Sequence, residues 1–215
     1  MTKIYSKKAA LILVLVITSF SLFAQVKIAC MGNSITEGWN GHPSYVPILQ
    51  KLLGPGYTVH NEGKSGTTLL KNGDYTYWGT GLIARVLAFR PEIVTIMLGT
   101  NDTKPQNWDT RGSEFKSDYE SLIDTLNTSS AKPVIFLVLP PPVWNNPFRI
   151  RNKIVQSEIP VIREIAKEKG LTVIDANTPL HSSGNYFDDG VHPNSAGADT
   201  IASVIYRKIL SDAGN

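Results

Sequence analysis

The sequence is poor in the residues that build disulfide bonds and metal sites. Its 215 residues include one cysteine, Cys30, and four histidines that are well separated along the chain. A single cysteine cannot form an internal disulfide, and scattered histidines do not provide the closely spaced ligands of a zinc site. We therefore expect no metal and no cofactor. Because Cys30 lies inside an apolar run, it is predicted to be a buried structural thiol.

The sequence also lacks an excess of charge once its first residues are set aside. Of its 21 basic residues, three lysines lie within residues 1–24, which contain no acidic residue. The remaining 18 basic residues balance the 18 acidic ones, so the rest of the chain has no net charge. A neutral domain offers no excess positive charge to nucleic acid or to an acidic membrane, and we expect neither as a partner.

Residues 1–24 have the three regions of a secretory signal peptide. The three lysines come first, an uncharged apolar stretch follows at residues 9–20, and cleavage is predicted after Ala24. This stretch is shorter than the ~20 residues of a membrane-spanning helix, which favours a cleavable leader over an anchor. We expect a secreted or periplasmic protein with one domain at residues 25–215 and no stable membrane insertion after the leader is removed.

Short apolar runs alternate with segments of helical periodicity in the rest of the chain. Strands are predicted at residues 26–31, 57–60, 92–98, 133–139 and 171–174. Helices are predicted at residues 45–53, 82–89, 114–126, 152–169 and 196–210, with Pro160 in the first turn of its helix or kinking it. This alternation predicts an α/β protein, a flavodoxin-like three-layer α/β/α sandwich with a parallel sheet of about five strands.

Polar segments that contain glycine follow four of the predicted strands. Ser34 follows the first strand, residues 61–68 the second, residues 99–102 the third and residues 188–193 the last. Ligands of open α/β sheets bind beyond the carboxyl ends of the strands. The four segments are therefore predicted to meet at one edge of the sheet.

Three of these polar residues suit nucleophilic catalysis. Serine is a weak nucleophile unless a general base accepts its proton, and His192 with Asp189 can provide that base and its orienting acid. Gly190 permits the tight turn that this spacing needs. Asp188 is the competing acid, but it stands four residues before the histidine, so Asp189 is favoured. No step of this chemistry requires a metal.

The four segments resemble the conserved blocks of the SGNH hydrolase family, which is also called the GDSL esterases and lipases. The resemblance runs in order from residue 31 to residue 193 and departs at Asn33, where the family motif has aspartate. It implies the SGNH hydrolase fold and ester hydrolysis through an acyl-enzyme. Ser34 would be the nucleophile, His192 the general base and Asp189 its partner.

The resemblance also implies an oxyanion hole. Its donors would be the backbone N–H groups of Ser34 and Gly66 and the side-chain amide of Asn101, with Gly63 as the alternative to Gly66. Each segment alone also has a structural interpretation, because a serine between glycines can be an ordinary turn and Asn101 can cap a helix. We assign Asp102 to such a capping role.

Four tryptophans are predicted to lie in loops at the same edge of the sheet: Trp39, Trp78, Trp108 and Trp144. Exposed aromatic rings can stack on the apolar faces of sugars, although each ring alone could simply pack its own loop. With the predicted export, they favour an O-acylated carbohydrate substrate, as in the carbohydrate O-acetylesterase branch that the chain resembles. The alternatives are a lysophospholipase- or thioesterase-type hydrolase, an inactive glycan-binding domain, and a nucleotide or receiver domain of flavodoxin-like fold.

Overall fold

Strands and helices alternate along the domain, as a computed structural model of residues 25–181 and 184–213 describes it. The strands are β1 (Val26–Gly32), β2 (Tyr57–Gly63), β3 (Ile93–Met97), β4 (Val134–Val138) and β5 (Thr172–Ile174). The helices are α1 (Ser34–Glu37), α2 (Val46–Leu53), α3 (Leu82–Phe89), α4 (Pro105–Arg111), α5 (Phe115–Leu126), α6 (Asn152–Lys169) and α7 (Ser195–Ala213). The predicted signal peptide, residues 1–24, lies outside the described residues.

The five strands form one parallel sheet in the order β2-β1-β3-β4-β5. Strand β1 lies between β2 and β3, so that Met31 is opposite Glu62 on one side and Ile96 on the other. The chain first adds a strand on one side of β1 and then builds outward on the other side. The carboxyl ends of β1 and β3 therefore flank the topological switch point, where α/β sheets bind their ligands.

Successive residues of β1 pack on opposite faces of the sheet, as the period of two in a strand requires. Ile28 and Cys30 belong to the core formed with α2 and α7, whereas Ala29 and Met31 belong to the core formed with α3, α5 and α6. All four side chains are fully buried, and Cys30 is a free thiol. The three-layer α/β/α prediction is confirmed.

The structure differs from the predictions in several elements. Strand β2 continues to Gly63, and helices α1 and α4 were not predicted because each is too short to show a periodic pattern. Of the two alternatives predicted for Pro160, the first turn is wrong: the residue lies in the middle of α6, where its missing N–H removes an intrahelical hydrogen bond. Among the residues that the structure describes, no helix has both the length and the apolar character needed to cross a membrane.

Candidate active site

Ser34 is the first residue of α1 and stands directly beyond β1. Asn33 accepts the N–H of Ile35 on its side-chain oxygen at 3.0 Å, which caps this helix at the end of the strand. Gly32 permits the close turn, since a Cβ there would lie 2.0 Å from Oγ1 of Thr36. The chain thus passes from strand to helix around a single residue, and Ser34 is held at the edge of the sheet with 8% of its surface exposed.

The three residues predicted as a catalytic triad form a continuous chain of hydrogen bonds. Ser34 Oγ lies 2.8 Å from His192 Nε2, and His192 Nδ1 lies 2.6 Å from Asp189 Oδ2. The other carboxylate oxygen of Asp189 accepts the backbone N–H groups of Val191, at 2.9 Å, and of His192, at 2.8 Å. Gly190 has φ 82°, which makes the predicted tight turn possible. The carboxylate therefore organises both the turn and the imidazole ring.

Burial and hydrogen bonding set the charge states of this group. Burial disfavours the charged form of His192 and lowers the pKa of its imidazole below the ordinary value of 6.5, although Asp189 opposes the shift. Burial also opposes ionisation of Asp189, but the hydrogen bonds from His192 and Val191 outweigh it and lower the pKa of the carboxyl. At neutral pH the site therefore contains a neutral imidazole beside a carboxylate, which are the forms that a general base and its partner need.

The predicted oxyanion donors lie around the same serine. Gly66, with φ 82°, lines the cavity beside Ser34, and so does Asn101. Within the described residues, the N–H groups of Ser34 and Gly66 have no hydrogen-bond acceptor. The N–H of Gly63 instead donates to Oδ1 of Asn61 at 2.9 Å. Of the two glycines considered for this position, Gly66 is thus the one with an available donor.

Asn101 is held in place from two sides. It lies in a 3-10 turn, Thr100–Thr103, directly after β3. Its side-chain amide donates to the carbonyl oxygen of Thr67 at 3.1 Å, and its own carbonyl oxygen accepts from the amide of Asn107 at 3.0 Å. One N–H of its side-chain amide is therefore engaged, and the other is available to a ligand.

A cavity of about 260 Å³ opens next to Ser34 and His192. Its apolar wall consists of Trp39, Phe148 and Ile150. Trp39 stacks on the ring of His192 with 4.5 Å between centroids, and Phe148 meets both rings edge-on at 5.4 Å. Phe148 belongs to the loop after β4, which was predicted to lie at this edge through Trp144, but Phe148 itself was not assigned to the site.

Of the four predicted tryptophans, Trp39 is the one that lines this cavity among the described residues. Trp78 donates its indole N–H to the carbonyl oxygen of Leu69 at 2.9 Å and packs against the core. Trp108 packs on Phe115, with 5.5 Å between ring centroids. Trp144 is 38% exposed, but its ring lies near His181 and not in the cavity. The structure therefore brings one of these four residues to the triad.

His42 is a second histidine at the triad that sequence analysis did not assign to the site. Its Nε2 lies 3.6 Å from Asp189 Oδ2, and its ring centroid is 5.5 Å from that of His192. Ligand atoms of His42, Asp189 and His192 lie within 4.8 Å of one another, which is compatible with a metal ion. A metal there would have to replace the proton between His192 and Asp189, so it would compete with the hydrogen bonding of the triad.

Asp102 does not cap a helix, which corrects the role predicted for it. Its carboxylate accepts the backbone N–H groups of Leu69, at 3.0 Å, and Leu70, at 2.8 Å, and thereby ties the segment after β2 to the segment after β3. Helix α4, which follows, has no side-chain cap. The misassignment arose because an aspartate before a helix is usually a cap, whereas here a distant segment offers two unpaired N–H groups.

Glu158 of α6 is buried beneath the same turn. A Cβ on Gly99 would lie 2.6 Å from its Oε2, and no donor within the described residues reaches either oxygen. Burial raises the pKa of Glu158 well above its usual range, and the Asp102 charge raises it further. Burial also raises the pKa of Asp102 to about 7, but that carboxylate has two N–H donors. Glu158 is therefore more fully protonated than Asp102 at neutral pH.

Comparisons with known proteins identify relatives of this chain. Residues 30–200 match the GDSL-like lipase/acylhydrolase family. The chain is 37% identical over 206 residues to an acetylxylan esterase of Xylanibacter ruminicola, and the match covers 84% of this chain. The chain spans 42% of the length of that relative.

Two solved structures of known esterases have the same fold. One is a carbohydrate acetylesterase from Sinorhizobium meliloti, with a TM-score of 0.70 at 21% identity over 87% of this chain and 99% of that one. The other is an aryl esterase from M. smegmatis, with a TM-score of 0.71 at 21% identity over 86% of this chain and 98% of that one. At this identity the similarity establishes the fold alone.

Proposed function

The chain belongs to the GDSL-like lipase/acylhydrolase family, and we propose that it is a carboxylic ester hydrolase that removes acetyl groups from O-acetylated carbohydrate. The observation that carries the proposal is the hydrogen-bonded chain from Ser34 through His192 to Asp189 at the mouth of a small cavity. The similarity to an acetylxylan esterase supports both the acyl group and the class of substrate.

Acyl transfer to the enzyme is the first half of the proposed reaction. Ser34 Oγ attacks the ester carbonyl carbon while His192 Nε2 accepts its proton, and Asp189 stabilises the imidazolium that forms. The carbonyl oxygen becomes an oxyanion. Collapse of this intermediate breaks the bond to the sugar oxygen, which takes the proton from His192, and the acetyl group remains on Ser34.

Hydrolysis of the acyl-enzyme is the second half. A water molecule attacks the acetyl carbonyl and gives one proton to His192. The second tetrahedral intermediate then expels Ser34 Oγ, which takes that proton back from His192, and acetate is released. In both halves the oxyanion is proposed to accept from the N–H groups of Ser34 and Gly66 and from the amide of Asn101. These donors are fixed by the fold before substrate arrives, which makes them effective in stabilising the developing charge.

The wall of the cavity supports a sugar substrate. The cavity of about 260 Å³ beside the serine has room for an acetyl ester. Trp39 and Phe148 provide an aromatic surface for the sugar ring, and Trp39 is the tryptophan that we propose for this contact. We do not extend this role to Trp78, Trp108 or Trp144, which lie away from the cavity.

We also propose that the protein is exported and loses residues 1–24. The basic start and apolar stretch of this segment support the proposal. Sequencing the amino terminus of the exported protein tests it, and we expect Gln25 as the first residue. A protein that retains residues 1–24 after export would contradict the proposal.

The ester hydrolase assignment is tested with p-nitrophenyl acetate, butyrate and octanoate, using the protein and its Ser34→Ala variant. We expect hydrolysis that falls steeply beyond acetate and is lost in Ser34→Ala. Thermal unfolding of the variant checks that it still folds. Acetate release from acetylated xylan then tests the carbohydrate substrate. Activity that increases with chain length would favour a lysophospholipase- or thioesterase-type hydrolase. If the activity of the protein is no higher than that of Ser34→Ala, the result would favour the alternative of an inactive glycan-binding domain.

A further inference from the structure

The cavity beside Ser34 contains a positive charge that acetyl transfer does not use. Lys104 lines the cavity immediately after the turn that carries Asn101, and its backbone N–H donates to the carbonyl oxygen of Asn101 at 3.3 Å. Its side chain is half-buried. Within the described residues, the ammonium group makes no hydrogen bond and no ion pair. A partly desolvated cation without a partner gains most from an anion that a ligand brings.

The other cations near this turn already have partners. Arg151 donates from Nη2 to Asp109 at 2.7 Å and from Nε to the carbonyl oxygen of Thr103 at 2.6 Å. Lys64 pairs with Glu37, with 3.6 Å between the ammonium and the carboxylate. Lys104 therefore differs from these neighbours because its charge is not balanced by an ion pair in the protein.

Asp74 is the acidic residue on which Lys104 has an electrostatic effect, and its carboxylate already accepts hydrogen bonds from other side chains. The carboxylate of Asp74 accepts from the side-chain amides of Asn107 and Gln106, both at 2.9 Å. Burial opposes the ionisation of Asp74. The hydrogen bonds from the two side-chain amides outweigh this effect and, with a smaller contribution from Lys104, lower the pKa of Asp74. Because Asp74 and Lys104 lie too far apart for an ion pair, this carboxylate does not fill the position that a ligand anion could take.

A second cation belongs to the segment that lines the cavity. Arg149 is exposed, stands between the cavity-lining residues Phe148 and Ile150, and has no hydrogen bond or ion pair within the described residues. The bonds from Arg151 to Thr103 tie this segment to the turn that precedes Lys104. Both unbalanced charges are therefore on segments that the fold holds together at the mouth of the site.

We propose that Lys104, assisted by Arg149, makes this esterase prefer acetylated sugars that carry a carboxylate over neutral acetylated sugars. The inference rests on the proposed function, because it places the acetylated sugar in the cavity beside Ser34. The carboxylate of a uronic acid residue would lie against the Lys104 wall while its acetyl ester reaches the serine. The charge of Lys104 is expected to increase mainly the rate of substrate binding, and this increase should become smaller as the ionic strength rises.

The test uses two substrates that differ in one group: a mono-O-acetylated methyl glucuronoside and the matching methyl glucoside. Acetate release is measured for the wild type, for Lys104→Gln and for Lys51→Gln. Lys51 lies in the last turn of α2 and is exposed, so it controls for the loss of one positive charge. We expect Lys104→Gln to lower kcat/KM for the glucuronoside by about three- to tenfold, mostly through KM, and to affect the glucoside much less. We expect high salt to reduce the wild-type preference and Lys51→Gln to retain it.

Other outcomes would overturn the inference. If the wild type cleaves both sugars equally well, or if Lys104→Gln lowers both activities to the same extent, Lys104 does not select for charge. The proposed function survives that result, provided that p-nitrophenyl acetate is hydrolysed and Ser34→Ala is inactive. If the wild type hydrolyses none of the three esters, the esterase assignment itself fails, and the charge preference fails with it.

Discussion

Replacing Asp189 by asparagine should disable His192 without unfolding the loop that holds both residues. Oδ1 of Asp189 accepts two backbone N–H groups, and an asparagine oxygen can accept both of them. Its NH₂ group would then take the place of Oδ2, which lies 2.6 Å from Nδ1 of His192, and would face that ring nitrogen with a donor. His192 would therefore carry its proton on Nε2. That nitrogen faces Ser34 Oγ and could no longer accept the serine proton.

The opposite orientation of the amide is less favourable. It would restore an acceptor for His192 Nδ1, but it would turn a donor toward the backbone N–H groups of Val191 and His192. Two hydrogen bonds would be lost in this orientation, whereas the first orientation keeps all three and only reverses the direction of the bond to His192 Nδ1. The variant should therefore be trapped with the wrong tautomer, and we expect kcat to fall by about 10⁴, or ~5.5 kcal/mol of transition-state stabilisation.

Stability and substrate binding should change much less than kcat. Asp189→Asn exchanges a hydrogen bond to a charged carboxylate for a neutral one, and the difference corresponds to about 1 kcal/mol of the free energy of unfolding. KM should stay nearly constant because Asp189 does not line the cavity among the described residues. The assay is steady-state hydrolysis of p-nitrophenyl acetate, with thermal unfolding followed by circular dichroism on the same samples.

The adjacent aspartate provides the matched control. Asp188 accepts one long hydrogen bond, at 3.3 Å from the amide of Asn194, and an asparagine can keep this acceptor. We expect Asp188→Asn to retain kcat within about twofold, because removing an exposed polar interaction has only a small energetic effect. Retention of more than about one tenth of kcat in Asp189→Asn, or an equal loss in Asp188→Asn, would refute the assignment of Asp189 as the partner of His192.

Three further predictions concern the oxyanion donor, the base and the buried carboxyl. Asn101→Ala is expected to lower kcat by about 10²–10³ in steady-state assays, with a smaller change in KM, and an unchanged kcat would exclude its amide from the oxyanion hole. Because burial lowers the pKa of His192 and the base must be neutral, kcat/KM should rise with pH through a midpoint below 6.5; a midpoint above 6.5 would contradict this. Glu158 has a raised pKa when folded, so its contribution to stability is complete at pH values below its unfolded pKa and is lost as the pH rises through the folded one. In urea unfolding, Glu158→Gln should therefore gain stability relative to the wild type between pH 5 and pH 9, and a difference that does not change with pH would argue against a protonated Glu158.

Local patterns in the sequence are sufficient to predict most of the fold. The buried strands β1, β3 and β4 are continuous apolar runs, and α3 and α5 show clear helical spacing, because burial on two faces or on one stripe imposes those patterns. Strand β2 is harder to delimit. It is an edge strand whose last residues are polar, and its pairing with β1 extends it to Gly63.

The hydrogen-bonded arrangement of Ser34, His192 and Asp189 can also be predicted from the sequence, for a related physical reason. Asp189 and His192 belong to one turn, so their spacing alone brings the two side chains together. Ser34 lies 158 positions away from His192, yet each follows a strand of the same parallel sheet, and the carboxyl ends of those strands share an edge. The topology of a parallel sheet therefore makes this long-range contact predictable.

Only the tertiary structure decides which side chains complete the site. Four tryptophans with similar positions in the sequence pattern have different surroundings, and one of them, Trp39, lines the cavity. Phe148 and Lys104 come from separate loops. The relative placement of these loops depends on packing, and no local sequence pattern predicts it. The same holds for Asp102 and Glu158, which are distant in the chain and become electrostatically coupled because α6 packs under the turn after β3. Strand and helix patterns reflect interactions among near neighbours in sequence, whereas the lining of a cavity depends on loops that meet only after the layers have packed.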